Sequence, residues 1–211
     1  MKTLKYLSFI AAIVFISNAC TSTTKESDDK SVEEDNVCIY KHDSESLNFK
    51  WTAYKFTEKT GVPGTFNEIS VTAGEDATSI EDLLTSVNFS INTGSVNSNE
   101  PVRDAKIAQF FFGTMSNTET ITGKIVNVDG EKATISLTIN ELTMDLPTII
   151  KISGDTINLS ATVDFKEFGG EEAVAMLHQV CSEKHTGEDG KSIFWDVVDI
   201  NIQTLYKKSC N

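Results

Sequence analysis

Alternation of apolar and polar residues is the feature that most narrows what this chain can fold into. Between Lys132 and Asn140 the apolar residues are Ala133, Ile135, Leu137 and Ile139, with Thr134, Ser136 and Thr138 between them. Because successive side chains of a strand point to opposite faces, this pattern predicts a strand with one buried face. Seven further strands are predicted, over residues 47–53, 64–73, 87–91, 119–128, 142–152, 157–165 and 193–206.

The turns between these runs favour hairpins. Asp129-Gly130 and Gly154-Asp155 each separate two strand-like runs, and tight turns between antiparallel strands favour such dipeptides. Eight strands linked in this way favour a sheet that closes on itself, because closure removes unpaired edges. Short helices are predicted at about 79–84, where Ser79 is the expected N-cap, and at 171–183. The predicted fold is therefore all-β: an eight-stranded antiparallel barrel with one or two short helices.

The N-terminus has the pattern of an export signal. Lys2 and Lys5 precede an apolar run from Leu7 to Ile16, and small or polar residues then lead to Cys20. The apolar run has about ten residues, whereas a membrane-spanning helix needs roughly twenty. We therefore expect this segment to be removed rather than to span a bilayer.

The residues directly before Cys20, Ser17-Asn18-Ala19, resemble a relaxed bacterial lipobox, in which the cysteine becomes an acylated N-terminus. Residues 1–19 are then a lipoprotein signal peptide, and Cys20 is the lipidation site. The other interpretation is an ordinary secretory signal that is cut near Ala19. The lipobox interpretation predicts a lipid-anchored protein of the bacterial cell envelope, at the outer membrane and on its periplasmic or surface face.

Charge and composition divide the rest of the chain. The formal net charge is −13, which disfavours nucleic acid as a partner. Residues 20–36 are acidic and almost free of apolar side chains, so we expect a disordered tether there. Residues 37–211 are the length of one domain with its own core.

Cys38, Cys181 and Cys210 remain for disulfide chemistry, since an exported protein meets an oxidising compartment. In a closed antiparallel sheet with an even number of strands, the first strand begins where the last strand ends. Cys38 and Cys210 lie at those two places, so we predict that they form a disulfide and that Cys181 is a buried free thiol.

Three stretches resemble the YceI-like family: 51–69, 86–112 and 122–147. The most specific pieces are Val62–Phe66, Ser90–Thr93 and Arg103-Asp104 ahead of a Phe-Phe pair. The resemblance covers about Tyr40 to Tyr206. It implies a lipocalin-like barrel, and characterised members of the family enclose a polyisoprenoid chain.

The sequence departs from the family pattern at two places. Family members commonly carry a His-Ser pair before the first strand's aromatic residue, whereas this chain has Asp43–Ser46 there and His42 upstream. A second family histidine is replaced by residues around Tyr54–Phe56. Both departures concern the recognition of a ligand's head group.

Three consecutive phenylalanines, Phe110, Phe111 and Phe112, follow the charged stretch at 103–106. In a strand, Phe110 and Phe112 would share one face; in a helix, the three would fan over roughly 200°. Either way, one face cannot bury all three. They fill ordinary core or they line a ligand cavity, and the family resemblance favours the cavity.

An eight-stranded barrel can be filled by side chains or can hold a small ligand, and the pattern leaves both open. Inward-facing Ala53, Ala133 and Ala161 would create space. The candidate ligand-binding residues are Phe49, Trp51, Phe89, Phe110, Phe111, Phe112, Leu137 and Leu159. We expect an isoprenoid, a quinone or another long apolar molecule as ligand. The alternative is a structural or surface-interaction lipoprotein with a filled barrel and an unidentified protein partner.

Catalytic and metal-binding motifs would point to other functions. The sequence has no G-x-S-x-G, H-E-x-x-H, P-loop or dinucleotide-binding motif, so we expect no enzymatic activity and no cofactor beyond a bound lipid. His178, Cys181 and His185 have a spacing that could bind zinc, but Cys181 belongs to an apolar stripe, so we expect no metal. Arg103 and Asp104 are interpreted as a loop salt bridge that positions the phenylalanines.

Overall fold

The computed structural model describes residues 37–211. The expected signal peptide over 1–19, the lipidation site at Cys20 and the tether over 20–36 lie outside the described residues. The strands are β1 (Cys38–Lys55), β2 (Thr60–Phe66), β3 (Ile69–Thr72), β4 (Asn88–Asn92), β5 (Val96–Asn97), β6 (Thr120–Asp129), β7 (Lys132–Ile139), β8 (Leu142–Ser153), β9 (Thr156–Asp164) and β10 (Phe194–Cys210). The α-helices are α1 (Ile80–Thr85), α2 (Pro101–Lys106), α3 (Glu171–Val180) and α4 (Ser182–His185). Among these helices, none is long and apolar enough to cross a membrane.

The strands form one antiparallel sheet in the order β3-β4-β6-β7-β8-β9-β10-β1-β2-β5. Only Asn67 and Glu68 separate β2, which pairs with β1, from β3, which pairs with β4. The sheet therefore curls back on itself at this bend. The predicted all-β, antiparallel, lipocalin-like class is confirmed.

The strand count is ten, so the prediction of eight was wrong. The run predicted over 64–73 is broken because its backbone changes partners: Asn67 donates to the Ser95 carbonyl, and the Glu68 carbonyl accepts from Asn92. Residues on one side of this break belong to β2 and those on the other side to β3. The remaining extra strand is the two-residue β5, which pairs with the end of β2.

The helix count is four in the described residues, rather than one or two. Ser79 caps α1 as predicted, its hydroxyl accepting a hydrogen bond from the Asp82 backbone N–H. The helix predicted over 171–183 is interrupted at Cys181, whose backbone (φ −123°, ψ 10°) departs from helical geometry. The sequence pattern did not predict α2.

The segment that begins with α2 carries the three phenylalanines in helical conformation. Pro101 occupies the first turn, and the Glu100 carboxylate accepts hydrogen bonds from the backbone N–H groups of Val102 and Arg103. The chain continues through a π-helical turn, Ile107–Phe111, and a 3₁₀ turn, Phe112–Thr114. The helical alternative of the sequence analysis is therefore the one that this segment adopts.

The first and last strands are neighbours, with Cys38 opposite Cys210 and Lys55 opposite Phe194. Cys38 and Cys210 form a disulfide, the pairing expected from the strand order. Cys181 is the free cysteine of the described residues, and it is half-buried rather than buried.

Two glycines let aromatic rings lie flat on the inner face of the sheet. Gly64 pairs with Trp51, and Gly123 pairs with Phe89. A Cβ atom would lie 2.0 Å from the Trp51 ring at Gly64 and 2.3 Å from the Phe89 ring at Gly123. Such distances are far below van der Waals contact, so each glycine determines where its partner ring lies.

Replacing Gly123 by alanine should lower the free energy of unfolding by about 1–3 kcal/mol, because the new methyl group forces the Phe89 ring out of its place. Chemical denaturation measures this change. The control is the same substitution in a Phe89→Leu background, where the clash is relieved and the cost should fall by at least about half. An equal cost in both backgrounds would contradict this account.

Candidate functional site

The curled sheet and its helices line a cavity of about 680 Å³. The wall is mostly apolar and comes from strands across the sheet: Phe49, Trp51, Phe89, Leu137, Leu159 and Ile200 are examples. The interior is therefore not filled by side chains. Ala53 and Ala161, two of the small inward residues, line the cavity, whereas Ala133 is buried outside its lining.

The structure brings seven of the eight candidate residues to this cavity: Phe49, Trp51, Phe89, Phe111, Phe112, Leu137 and Leu159. Phe110 is half-buried and does not belong to the lining. This follows from the helical conformation, since three consecutive residues of a helix face different directions. That the lining residues contact a ligand stays a prediction.

A row of aromatic rings crosses the cavity wall. The ring centroids of Phe49 and Phe66 are 6.0 Å apart, and those of Phe66 and Phe112 are also 6.0 Å apart. Phe112 meets Phe111 edge to face at 5.1 Å, and Phe111 meets Phe165 edge to face at 4.7 Å. Edge-to-face contacts of this kind stabilise a fixed arrangement of rings. The row therefore joins β1, through Phe66 and the phenylalanine segment, to the residue that directly follows β9.

Arg103 and Asp104 do not form the expected salt bridge with each other. Both side chains bind Ser98 instead. The Asp104 carboxylate accepts hydrogen bonds from the Ser98 N–H (2.8 Å) and the Ser98 hydroxyl. Arg103 donates from Nε to the Ser98 hydroxyl and from Nη2 to the Ser98 carbonyl, both at 2.7 Å. The pair still positions the phenylalanine segment, but through a buried serine that the sequence did not single out.

One end of the cavity carries a small polar group centred on Thr204. His42 Nε2 and the Ser46 hydroxyl each lie 2.9 Å from Thr204 Oγ1, and the Ser46 hydroxyl also accepts a hydrogen bond from the Leu205 N–H. His42 and Thr204 line the cavity. Burial lowers the pKa of His42, with a smaller opposing effect of Asp43. His42, which lies upstream of the usual histidine position of the family pattern, is therefore an uncharged cavity residue at neutral pH.

His185 lies at the other end of the cavity, beside the start of β10. Its side chain is buried, and its ring stacks on Phe194 with a centroid distance of 4.8 Å and an interplanar angle of 7°. Burial above all, with the nearby His178, Lys55 and Lys106, lowers the pKa of His185 to about 4. The imidazole is therefore uncharged at neutral pH.

The histidine and cysteine spacing noted in the sequence has a different geometry from that of a zinc site. The His178 and His185 rings lie 5.5 Å apart in a tilted arrangement, and Cys181 lies between the helices that carry them. Within residues 37–211, no group of three or more His, Cys, Asp or Glu side chains is arranged to hold a metal ion.

Helices supply part of the lining that strand alternation could not predict. Leu83 and Leu84 of α1 and Leu177 of α3 face the cavity and are buried. Their apolar character was visible in the sequence. The packing of α1 against β1 and β6, and of α3 against β10 and the phenylalanine segment, depends on tertiary structure, which a local pattern does not contain.

Comparison with known proteins gives a family match and a set of similar folds. A family model described as YceI-like domain matches residues 40–204. A solved polyisoprenoid-binding domain from Saccharophagus degradans, implicated in plant cell wall breakdown, is 14% identical, with a TM-score of 0.55 over 82% of this chain and 98% of that chain. This likeness shows a shared fold.

Two further solved structures are similar at lower scores. The YceI protein of Campylobacter jejuni is 20% identical, with a TM-score of 0.48 over 74% of this chain and 89% of that chain. BcnA of Burkholderia cenocepacia is 17% identical, with a TM-score of 0.46 over 75% of this chain and 96% of that chain. No curated protein matches the chain.

The depressed pKa of His185 predicts a stability that falls in mild acid. Between pH 6.5 and about 4 the unfolded state binds more protons at this residue than the folded state does. The free energy of unfolding should therefore decrease as the pH falls through this window, by at most about 3 kcal/mol. In His185→Phe, which keeps a ring against Phe194, denaturation curves between about pH 7 and pH 4.5 should show a smaller decrease.

His178→Gln is the matched control, since it removes a neighbouring histidine and leaves His185 in place. It should keep most of the wild-type decrease, because burial is the largest cause of the shift at His185. Some decrease should remain in both variants from His42, whose pKa is also lowered. A His185→Phe curve that follows the wild type throughout would refute the assignment.

Proposed function

The chain belongs to the YceI-like family, and we propose that it binds a long apolar molecule, such as an isoprenoid, a quinone or another lipid, inside the cavity. The observation that carries the proposal is the apolar-walled cavity of about 680 Å³. Pockets that bind small molecules have volumes of about 300–1,000 Å³ and mostly apolar walls. The fold relative from Saccharophagus degradans is described as polyisoprenoid-binding, which supports the same class of ligand here.

Apolar burial would supply the binding energy. Removing apolar surface from water contributes about 25 cal/mol per Å², before the cost of ordering the ligand is subtracted. The aromatic row offers a rigid wall, while Ala53 and Ala161 keep space open. The proposal includes no catalysed reaction, since the function follows from the shape and apolarity of the wall.

The alternative of a structural lipoprotein required a filled interior. The cavity contradicts that premise, so the alternative loses the feature that distinguished it from a carrier. A protein partner stays compatible with carriage, since a carrier must receive and release its ligand. The described residues do not identify that partner.

Carriage predicts a lipid-sized molecule on the protein when it is purified from its native host, detected as added mass by native mass spectrometry. Ala161→Phe should reduce the occupied fraction at least about tenfold, because the added ring takes up cavity space. Thr162→Phe is the matched control: its side chain is exposed, on the face opposite Ala161, and occupancy should be unchanged. The proposal would be contradicted if the wild-type protein carried no bound lipid, or if the occupied fraction were the same in Ala161→Phe.

We also propose that the protein is exported and anchored in the bacterial cell envelope through Cys20. The support is the lysine-flanked apolar run and the lipobox-like residues before this cysteine. Cells fed radiolabelled palmitate should label the protein, and Cys20→Ala should abolish the label. Cys181→Ala is the control and should keep it. Label that survives in Cys20→Ala would rule out this anchor.

A further inference from the structure

The charged residues that line the cavity are mostly cations. Four of them are basic (Lys55, Arg103, Lys106 and Lys184), and one, Glu100, is acidic. The chain as a whole has a formal net charge of −13, with 31 acidic and 18 basic residues. The cavity lining therefore has the opposite sign to the molecule that contains it.

Three separate elements bring these cations to one end of the cavity. Lys55 is the last residue of β1, Arg103 and Lys106 lie one turn apart on α2, and Lys184 is on α4. The Lys55 ammonium donates to the Lys184 carbonyl at 3.2 Å, and the Lys106 ammonium donates to the Val180 carbonyl at 2.8 Å. These two hydrogen bonds hold both ammonium groups against residues 180–184, where α3 ends and α4 begins.

The three lysines of this cluster, Lys55, Lys106 and Lys184, form no salt bridge within residues 37–211. Within residues 37–211, the salt bridges belong to other lysines: Lys41, Lys166, Lys191 and Lys207. Glu100 keeps its negative charge while it caps α2, but the four cations of the lining outnumber this one carboxylate. The cluster therefore retains positive charge beside an apolar cavity, where electrostatic attraction is stronger than in bulk water.

His185 adds an unsatisfied polar atom at the same place. The residue is 9% exposed and lines the cavity. Its buried Nδ1 has no hydrogen-bond partner among the described residues. Buried polar atoms are normally paired, so a bound polar group is a natural partner for this nitrogen.

We propose that this end of the cavity is a head-group subsite, in which Lys55, Lys106 and His185 bind the anionic head of a single-chain amphiphile. Arg103 and Lys184 add positive charge around the head. The inference rests on the proposed function, because the tail of the same molecule would occupy the apolar wall. Phosphate and carboxylate share the required chemistry, since both accept charge-assisted hydrogen bonds from ammonium groups.

Farnesyl monophosphate and farnesol test the subsite, because they share a tail and differ in head group. Isothermal titration calorimetry on the full protein should give at least about tenfold tighter binding of farnesyl monophosphate than of farnesol. In Lys55→Gln/Lys106→Gln this ratio should fall below about threefold, while farnesol binding is kept. His185→Phe should also lower the ratio.

The matched control is Lys124→Gln/Lys151→Gln, which makes the same change in net charge at two exposed strand residues outside the cavity lining. It should keep the wild-type ratio. If the Lys55/Lys106 variant does not fold, the salt dependence of the wild-type protein tests the subsite instead. Added salt should reduce the preference for farnesyl monophosphate over farnesol, because it screens the charges. A preference that salt does not change would contradict the subsite.

The remaining outcomes separate the two proposals. Equal binding of both ligands would overturn the anionic subsite and leave carriage of an apolar chain intact. Binding of neither ligand would overturn both. Inorganic phosphate is the third probe. If it binds alone as tightly as farnesyl monophosphate, the cluster is a site for a free anion, and the proposal of an amphiphilic ligand is wrong.

Discussion

The pairing of the first strand with the last is the interaction on which the rest of the structure depends. β1 and β10 are the two longest strands, and their register runs from Cys38 opposite Cys210 to Lys55 opposite Phe194. This ladder joins residues from the two ends of the described chain along the full height of the sheet. Loop closure over such a separation costs conformational entropy, and the ladder with its terminal disulfide offsets that cost.

The same ladder determines where polar groups meet the cavity. Near the disulfide it brings His42 and Ser46 of β1 to Thr204 of β10. At the opposite end it places Lys55 beside the start of β10, where Phe194 stacks on His185. Between these ends the inward residues of both strands are apolar. A cavity with an apolar middle and chemically different ends can distinguish the two ends of an elongated ligand.

Local patterns predicted what depends on local geometry. Alternation placed Leu137 and Leu159 on the inner face, and an even, closed antiparallel sheet placed Cys38 beside Cys210. The break at Asn67 was not predictable in this way, because it depends on hydrogen bonds to a segment about 25 residues further along the chain. The cationic cluster was missed for the same reason: Lys55, Lys106 and Lys184 are distant in sequence, and only the packed fold brings them together.

The phenylalanine segment shows how one helical stretch can serve both parts of an amphiphile. Its first turns carry Arg103 and Lys106, which belong to the cationic end of the cavity. Its last turns carry Phe111 and Phe112, which belong to the aromatic row. Under the two proposals, the charged residues bind the head, the phenylalanines bind the tail, and the Ser98 hydrogen bonds hold the start of this helical stretch in place. Under the same proposals, the charged stretch and the two lining phenylalanines that follow it supply both chemistries to one ligand.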